Sequence, residues 1–158
     1  MSGELRAPEG PTREPRRATG KALQYWDSVR GARRCPTRAE IASALLPELD
    51  KHRFIVRPDD RGASARFEET GAVLKDFCGV DPKGLAVKTA LPRELGPRIG
   101  GLINTAFRLG KPLADSGTFT DATGAQVLYR LVVMPLSEDQ NKVDRLWGAV
   151  SFKRCKAH

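Results

Sequence analysis

The sequence predicts an α+β fold in which a five-stranded antiparallel sheet carries helices on one face and an N-terminal helical cap. Three observations lead there. Two apolar segments, Gln126–Pro135 (QVLYRLVVMP) and Arg145–Lys153 (RLWGAVSFK), flank a polar connection at Ser137–Asp144, the pattern of a hairpin. Ahead of them, Glu94–Leu109 places Leu95, Ile99, Leu102, Ile103 and Ala106 on one helical face. Strand-like runs also precede that helix, so two strands, a helical crossover and three strands follow one another.

In chain order, residues 1–20 are rich in Pro, Gly and charge and nearly devoid of apolar side chains, which predicts a disordered leader. Residues 21–50 form the cap. Ala22, Tyr25, Trp26 and Val29 stand at i, i+3, i+4 and i+7, one apolar stripe on a short helix stopped by Gly31. A helix of that length is marginal alone, so the stripe must dock on something. Thr37 and Glu40 make a capping box that starts a second helix with Ile41, Leu45 and Leu46, interrupted at Pro47 and closed by the polar run Glu48–Arg53.

The core spans residues 51–155. Its first strand is Arg53–Arg57; Pro58–Gly62 is a turn, and residues 63–69 alternate as a second strand. Ala72–Cys78 reads as a short helix ended by Gly79, followed by a turn through Asp81, Pro82 and Gly84 and a loop holding Leu91 and Pro92. In the long helix, Pro97 falls in the first turn, where it is tolerated. Gly100 and Gly101 weaken that helix by roughly 1 kcal/mol each, which predicts close approach to another element or a ligand. Gly110 caps it. Leu113–Thr120 is strand three, turned at Asp121–Gly124 into the final hairpin. That hairpin is apolar on both faces, with Val127, Tyr129, Leu131 and Val133 on one and Leu128, Val132 and Met134 on the other, so both faces need cover.

Composition narrows the function classes. The chain has 158 residues, 40% hydrophobic and 29% charged, ordinary for a globular domain. No apolar run approaches the ~20 residues of a membrane span, and the N-terminal stretch does not read as a signal peptide, so the expected location is the cytoplasm. Cys35, Cys78 and Cys155 are widely spaced with no metal-ligand pattern. The net charge of +8 resides on the ends: residues 1–34 contribute +4, residues 153–158 contribute +3, and the span between only +1. A nucleic-acid footprint concentrates charge within the folded domain, so nucleic acid is disfavoured as a partner. A basic regulator acting on nucleic acid through its charged tails is the alternative reading.

With the elements laid out, the chain resembles a PAS domain. The two-plus-three strand order around a long helix matches that family. So do the glycines of GAVLKDFCGVDPKG (Gly71, Gly79, Gly84), the helix exit FRLGKP at Phe107–Pro112, and TDATG leading into QVLYRLVVMP. YWDSVRGARRCPTRAEI, with Tyr25, Trp26, Pro36 and Arg38, is similar to the leader of a compact, stand-alone bacterial PAS subfamily. The resemblance covers about residues 22–153. It implies a non-catalytic sensory and protein-interaction module in signal transduction, with a cavity between sheet and helices and dimerisation through the N-terminal helix. It fixes no cofactor. Cys78 in DFCGVD departs from the motif of the photoreactive cysteine in flavin-binding relatives, and Glu94–Leu109 has no histidine, so covalent flavin and haem are both disfavoured.

Two sets of residues are therefore candidates. Ile99, Leu102, Ile103 and Ala106, facing Tyr129, Leu131 and Trp147, line either a small-molecule pocket or a filled core. A buried Tyr or Trp needs a polar partner, which singles out Tyr129 and Trp147. Ala22, Tyr25, Trp26 and Val29 are candidates for a homodimer or partner surface, against docking on the protomer's own sheet. Cys78 reads as a small core residue, and no histidine or serine accompanies the paired carboxylates Asp76 and Asp81 or Glu68 and Glu69. No catalytic constellation is present, so the chain is not expected to be an enzyme.

Overall fold

The computed structural model describes residues 13–43, 46–59, 64–92 and 94–155. Among them the chain runs α1 (Arg13–Arg30), α2 (Arg38–Ser43), α3 (Pro47–Asp50), β1 (Arg53–Arg57) and β2 (Arg66–Thr70). It continues through α4 (Ala72–Cys78), α5 (Val87–Ala90), α6 (Leu95–Leu109), β3 (Leu113–Thr120), β4 (Gln126–Leu136) and β5 (Arg145–Arg154). The strands form one five-stranded antiparallel sheet in the order β2-β1-β5-β4-β3. The last strand is thus the central one. It joins the early strand pair to the late three, with Ile55 and Met134 both opposite Trp147.

Alternation along these strands makes two cores. Val127, Tyr129, Leu131 and Val133 of β4, with Leu146 and Val150 of β5 and Phe54 and Val56 of β1, face inward to α4, α5 and α6. Val132, Met134, Leu136, Trp147, Ala149 and Ile55 face outward to α1 and its neighbours α2 and α3. The two apolar faces of the hairpin are thereby explained: each is covered by a different set of helices.

Several elements differ from their expected bounds. Helix α1 begins at Arg13, within the stretch expected to be a disordered leader; residues 1–12 lie outside the described residues. Ala18 is buried and extends the stripe of Ala22, Tyr25 and Trp26 by another turn, and docking supplies what local composition does not. Pro47 starts the short helix α3, whose Leu49 is fully buried, in place of the expected polar run. Leu45 lies outside the described residues, and Leu46 is exposed. The capping box is made as read: the Thr37 N–H donates to Glu40 Oε1 at 2.9 Å, and the Glu40 N–H donates to Thr37 Oγ1 at 3.2 Å.

The glycines of α6 are redistributed too. A Cβ on Gly96 would stand 2.1 Å from the Lys88 carbonyl oxygen, so this glycine lets α6 press against α5. Gly100 is in looser contact, 3.3 Å from Lys88 Cβ, and Gly101 faces open space. Close approach therefore belongs to Gly96, with a lesser part for Gly100 and none for Gly101.

Candidate functional site

The inner face holds most of the expected pocket residues. Ile99, Ile103 and Ala106 of α6 meet Tyr129 and Leu131 of β4 in the inner core, with Leu102 only partly buried at its edge. Trp147 is not among them. It lies on the opposite side of the sheet, its ring 5.5 Å from that of Tyr25. The cause is strand parity: Leu146 and Val150 point inward, so Trp147 and Ala149 between them point outward.

The remaining space at the centre of this face is about 10 Å³, bounded by Phe54, Phe67, Leu95, Ile103 and Tyr129 among others. That is room for about one water, and its lining is apolar. In this packing the inner face is a filled core.

Its polar rim is built from β3, β4 and α6. The Tyr129 hydroxyl donates to Asp115 Oδ2 at 2.7 Å, and Arg98 donates to both Asp115 oxygens at 2.8 and 2.9 Å. The Arg98 guanidinium also stands 5.8 Å from the Tyr129 ring centre. Burial pushes the Asp115 carboxyl upward, but the hydrogen bonds from Arg98 and Tyr129 outweigh it and hold the group below the ordinary carboxylate range. Burial, then the hydrogen bond to Asp115, raises the Tyr129 phenol well above its usual value. This answers the demand a buried tyrosine makes for a partner. It also closes the end of the core beside β3.

The outer face is where the N-terminal stripe resides. Ala22, Tyr25 and Trp26 are buried against Ile55, Val132, Met134 and Trp147 of the same chain, with Val29 partly buried beside them. The Trp26 Nε1–H donates to the Pro135 carbonyl at 2.8 Å, and the Tyr25 hydroxyl donates to the Ile41 carbonyl. These four residues, expected as candidates for a partner surface, thus form an intramolecular interface. The exposed side of α1 carries Leu23, Gln24, Asp27 and Ser28.

The connection between α1 and α2 is held by the β4–β5 hairpin. Gln140 pairs through its side chain with the backbone of Cys35, the Ser137 N–H donates to the Pro36 carbonyl at 3.1 Å, and the Arg38 N–H donates to Glu138 Oε2 at 3.2 Å. Behind it lies an ion-pair cluster. Arg38 Nε and Arg145 Nε stand 2.8 and 2.9 Å from Glu68 Oε2, and both Arg38 and Arg53 pair with Glu69. Glu68 and Glu69, one of the two carboxylate pairs weighed for acid–base chemistry, are therefore structural anchors between the cap and the sheet. Sequence reading missed this clasp because its partners are about a hundred residues apart; the polar loop Ser137–Asp144 was the only local signal.

The other reactive groups are equally engaged. Burial raises the Cys78 thiol, which donates to the Ala90 carbonyl at 3.7 Å, and burial raises Cys35 although Arg34 opposes it. His52 Nδ1 lies 3.0 Å from the Val150 carbonyl at the start of β1. Among the described residues no group of three or more His, Cys, Asp or Glu could hold a metal, and no helix is long and apolar enough to cross a membrane.

Comparison with known proteins fits this geometry. A family model described as "PAS domain" matches residues 15–151. Among solved structures, the PAS domain from Bordetella pertussis BvgS superposes with a TM-score of 0.56 at 12% identity, covering 77% of this chain and 88% of that one. A sensory box sensor histidine kinase from Vibrio cholerae gives a TM-score of 0.51 at 17% identity, covering 73% of this chain and 91% of that one. A light-oxygen-voltage domain studied with a flavin analogue gives 0.50 at 11% identity, covering 75% and 83%. At these identities the structures speak for the fold alone. A search of curated proteins found no match. The match to the family model spans both cores, from α1 into β5, and on that ground the chain belongs to the PAS domain family.

Proposed function

We propose that this chain is a non-catalytic sensory and protein-interaction module in signal transduction, and that α1 carries its output to a protein partner. The observation that supports the reading is the placement of β4 between the two cores. Tyr129 and Leu131 point into the inner core, while Val132 and Met134 of the same strand carry α1. A displacement of β4 from within is thus felt under Trp26 and at the Gln140 clasp. A small ligand between the sheet and α6 would enter by expanding a space of about 10 Å³, and that expansion would move β4. The second copy in a homodimer would pack along the outward side of α1, where Leu23 is 41% exposed.

Native mass spectrometry of the freshly purified full chain tests this. The expected mass is that of a dimer, reduced to a monomer by Leu23→Glu. A wild-type monomer at tens of micromolar would remove the dimer from the reading. For the partner, co-purification with tagged wild type and with Trp26→Ala should enrich a protein whose recovery differs between the two. Identical recoveries would sink the role given to α1.

A further inference from the structure

The inner core is filled, but a groove on another part of the surface has the size of a ligand site. It measures about 740 Å³ and lies where the C-terminal end of α6, the β4–β5 hairpin loop, the α1–α2 connection and the segments Pro58–Asp59 and Ser64–Ala65 converge. Small-molecule sites typically span about 300–1,000 Å³.

Its charge is mainly positive. Arg34, Arg108 and Lys142 line it, each from a different segment, together with the amide side chains of Asn104 and Asn141. Asn104 and Arg108 stand at i and i+4, on one face of α6. No carboxylate pairs with Arg34, Arg108 or Lys142 among the described residues, although Arg38, Arg53, Arg98, Arg145 and Arg154 all have such partners. The acid in the lining, Asp59, is 3.8 Å from Arg66 and so is already engaged. Arg34 is seated at the groove wall: a Cβ on Gly110 would come within 2.7 Å of its Nη2.

Cations gathered at a helix C-terminus have a simpler explanation, since they complement the partial negative charge there. That explanation covers Arg108 and Arg34. It leaves Lys142, on the hairpin loop, and the two free amides beside it without a role. The magnitudes also favour a ligand, because the helix end contributes about −0.5 of a charge against three unpaired cations. Arginine and lysine together with amide donors suit phosphate oxygens, the arginines through paired N–H groups.

We propose that this groove binds a soluble small molecule carrying two or more phosphate groups, with Arg34, Arg108 and Lys142 as its charge partners and Asn104 and Asn141 as donors. The site stands apart from the sheet–helix cavity and does not depend on the signalling role proposed above. Isothermal titration calorimetry of the full chain at about 150 mM salt, where surface charge is screened beyond roughly 8 Å, tests it with pyrophosphate and ADP, using sulfate at matched ionic strength as control. Saturable one-to-one binding of at least one of the two phosphate probes is expected, with sulfate at least tenfold weaker. Affinity should fall at least tenfold in Arg108→Ala/Lys142→Ala and stay unchanged in Lys153→Ala/Arg154→Ala. Circular dichroism checks that the variants fold; if the double variant does not, Lys142→Ala alone, at an exposed loop position, replaces it. Absence of saturable binding, equal binding of sulfate, or an equal loss in the Lys153/Arg154 variant would each overturn the proposal.

Discussion

Gln140 holds the Cys35 peptide as a neighbouring strand would. Its side-chain amide donates to the Cys35 carbonyl at 2.9 Å and accepts from the Cys35 N–H at 3.2 Å. The residue adopts a left-handed φ of 65° to do so, a conformation uncommon outside glycine. Replacing Gln140 by Ala removes both bonds and leaves two partly buried backbone groups to find water. A loss of about 1–3 kcal/mol is expected, measured by urea denaturation. Hydrogen exchange in α1 should rise more than in β4, because the clasp restrains the cap. Equal protection of α1 in the variant would mean that the clasp holds only the loop.

Two glycines of α6 should respond to alanine in opposite directions. At Gly101 nothing lies within 4 Å of an added Cβ, and the residue is exposed, so Gly101→Ala should stabilise by about 1 kcal/mol. At Gly96 the added carbon would meet the Lys88 carbonyl oxygen at 2.1 Å and must move backbone. Gly96→Ala is therefore expected to destabilise by at least 1–3 kcal/mol despite the same gain in helix propensity. Thermal melts of the two variants side by side decide it, and a shared sign would refute the assignment of close approach to Gly96.

The sheet, its strand order by groups and the long helix are legible because each rests on local pattern: the apolar, β-branched run of Gln126–Pro135 bounded by polar turns, and the stripe of Ile99, Ile103 and Ala106. What was lost is the choice of face. Composition alone groups Trp147 with α6, yet the parity is written further along β5, where Ser151 and Lys153 follow Trp147 at even spacing on the outward side. Leu102 shows the same limit on a helix, since spacing places it near the stripe but only packing shows that it sits at the edge. The stripe of Ala22, Tyr25 and Trp26 announced that it must dock without naming its partner. The clasp at Gln140 and the anchors at Glu68 and Glu69 were illegible because they depend on tertiary neighbours, not on local pattern.

Trp26 separates packing from hydrogen bonding in the outer core. Its ring is buried against the sheet, and its Nε1–H reaches the Pro135 carbonyl at 2.8 Å. Trp26→Ala leaves a large cavity over Met134 and Trp147 and should cost about 3–5 kcal/mol. Trp26→Phe keeps much of the packing but strands a buried carbonyl, for a smaller loss of about 1–3 kcal/mol. Chemical denaturation followed by circular dichroism orders the two. A negligible effect of Trp26→Ala would mean that α1 does not rely on this face.

Asp121 gives a pH signature at the turn between β3 and β4. Its carboxylate accepts from the Thr123 hydroxyl at 2.6 Å, from the Thr123 and Ala125 N–H groups at 2.9 and 3.0 Å, and from Arg154 Nε at 2.9 Å. These donors, led by the Thr123 hydroxyl, lower its pKa from 3.8 to about 2. A folded-state value below the unfolded one means that the unfolded chain binds the proton more tightly, so the stabilisation is present above pH 3.8 and lost as pH falls towards 2. Asp121→Asn removes the titrating group. The stability difference between wild type and variant should therefore be constant above about pH 5 and shrink steadily between pH 4 and pH 2. Urea denaturation of both proteins across that range measures it, and a difference that does not change with pH would show that the turn does not depend on the charge of Asp121.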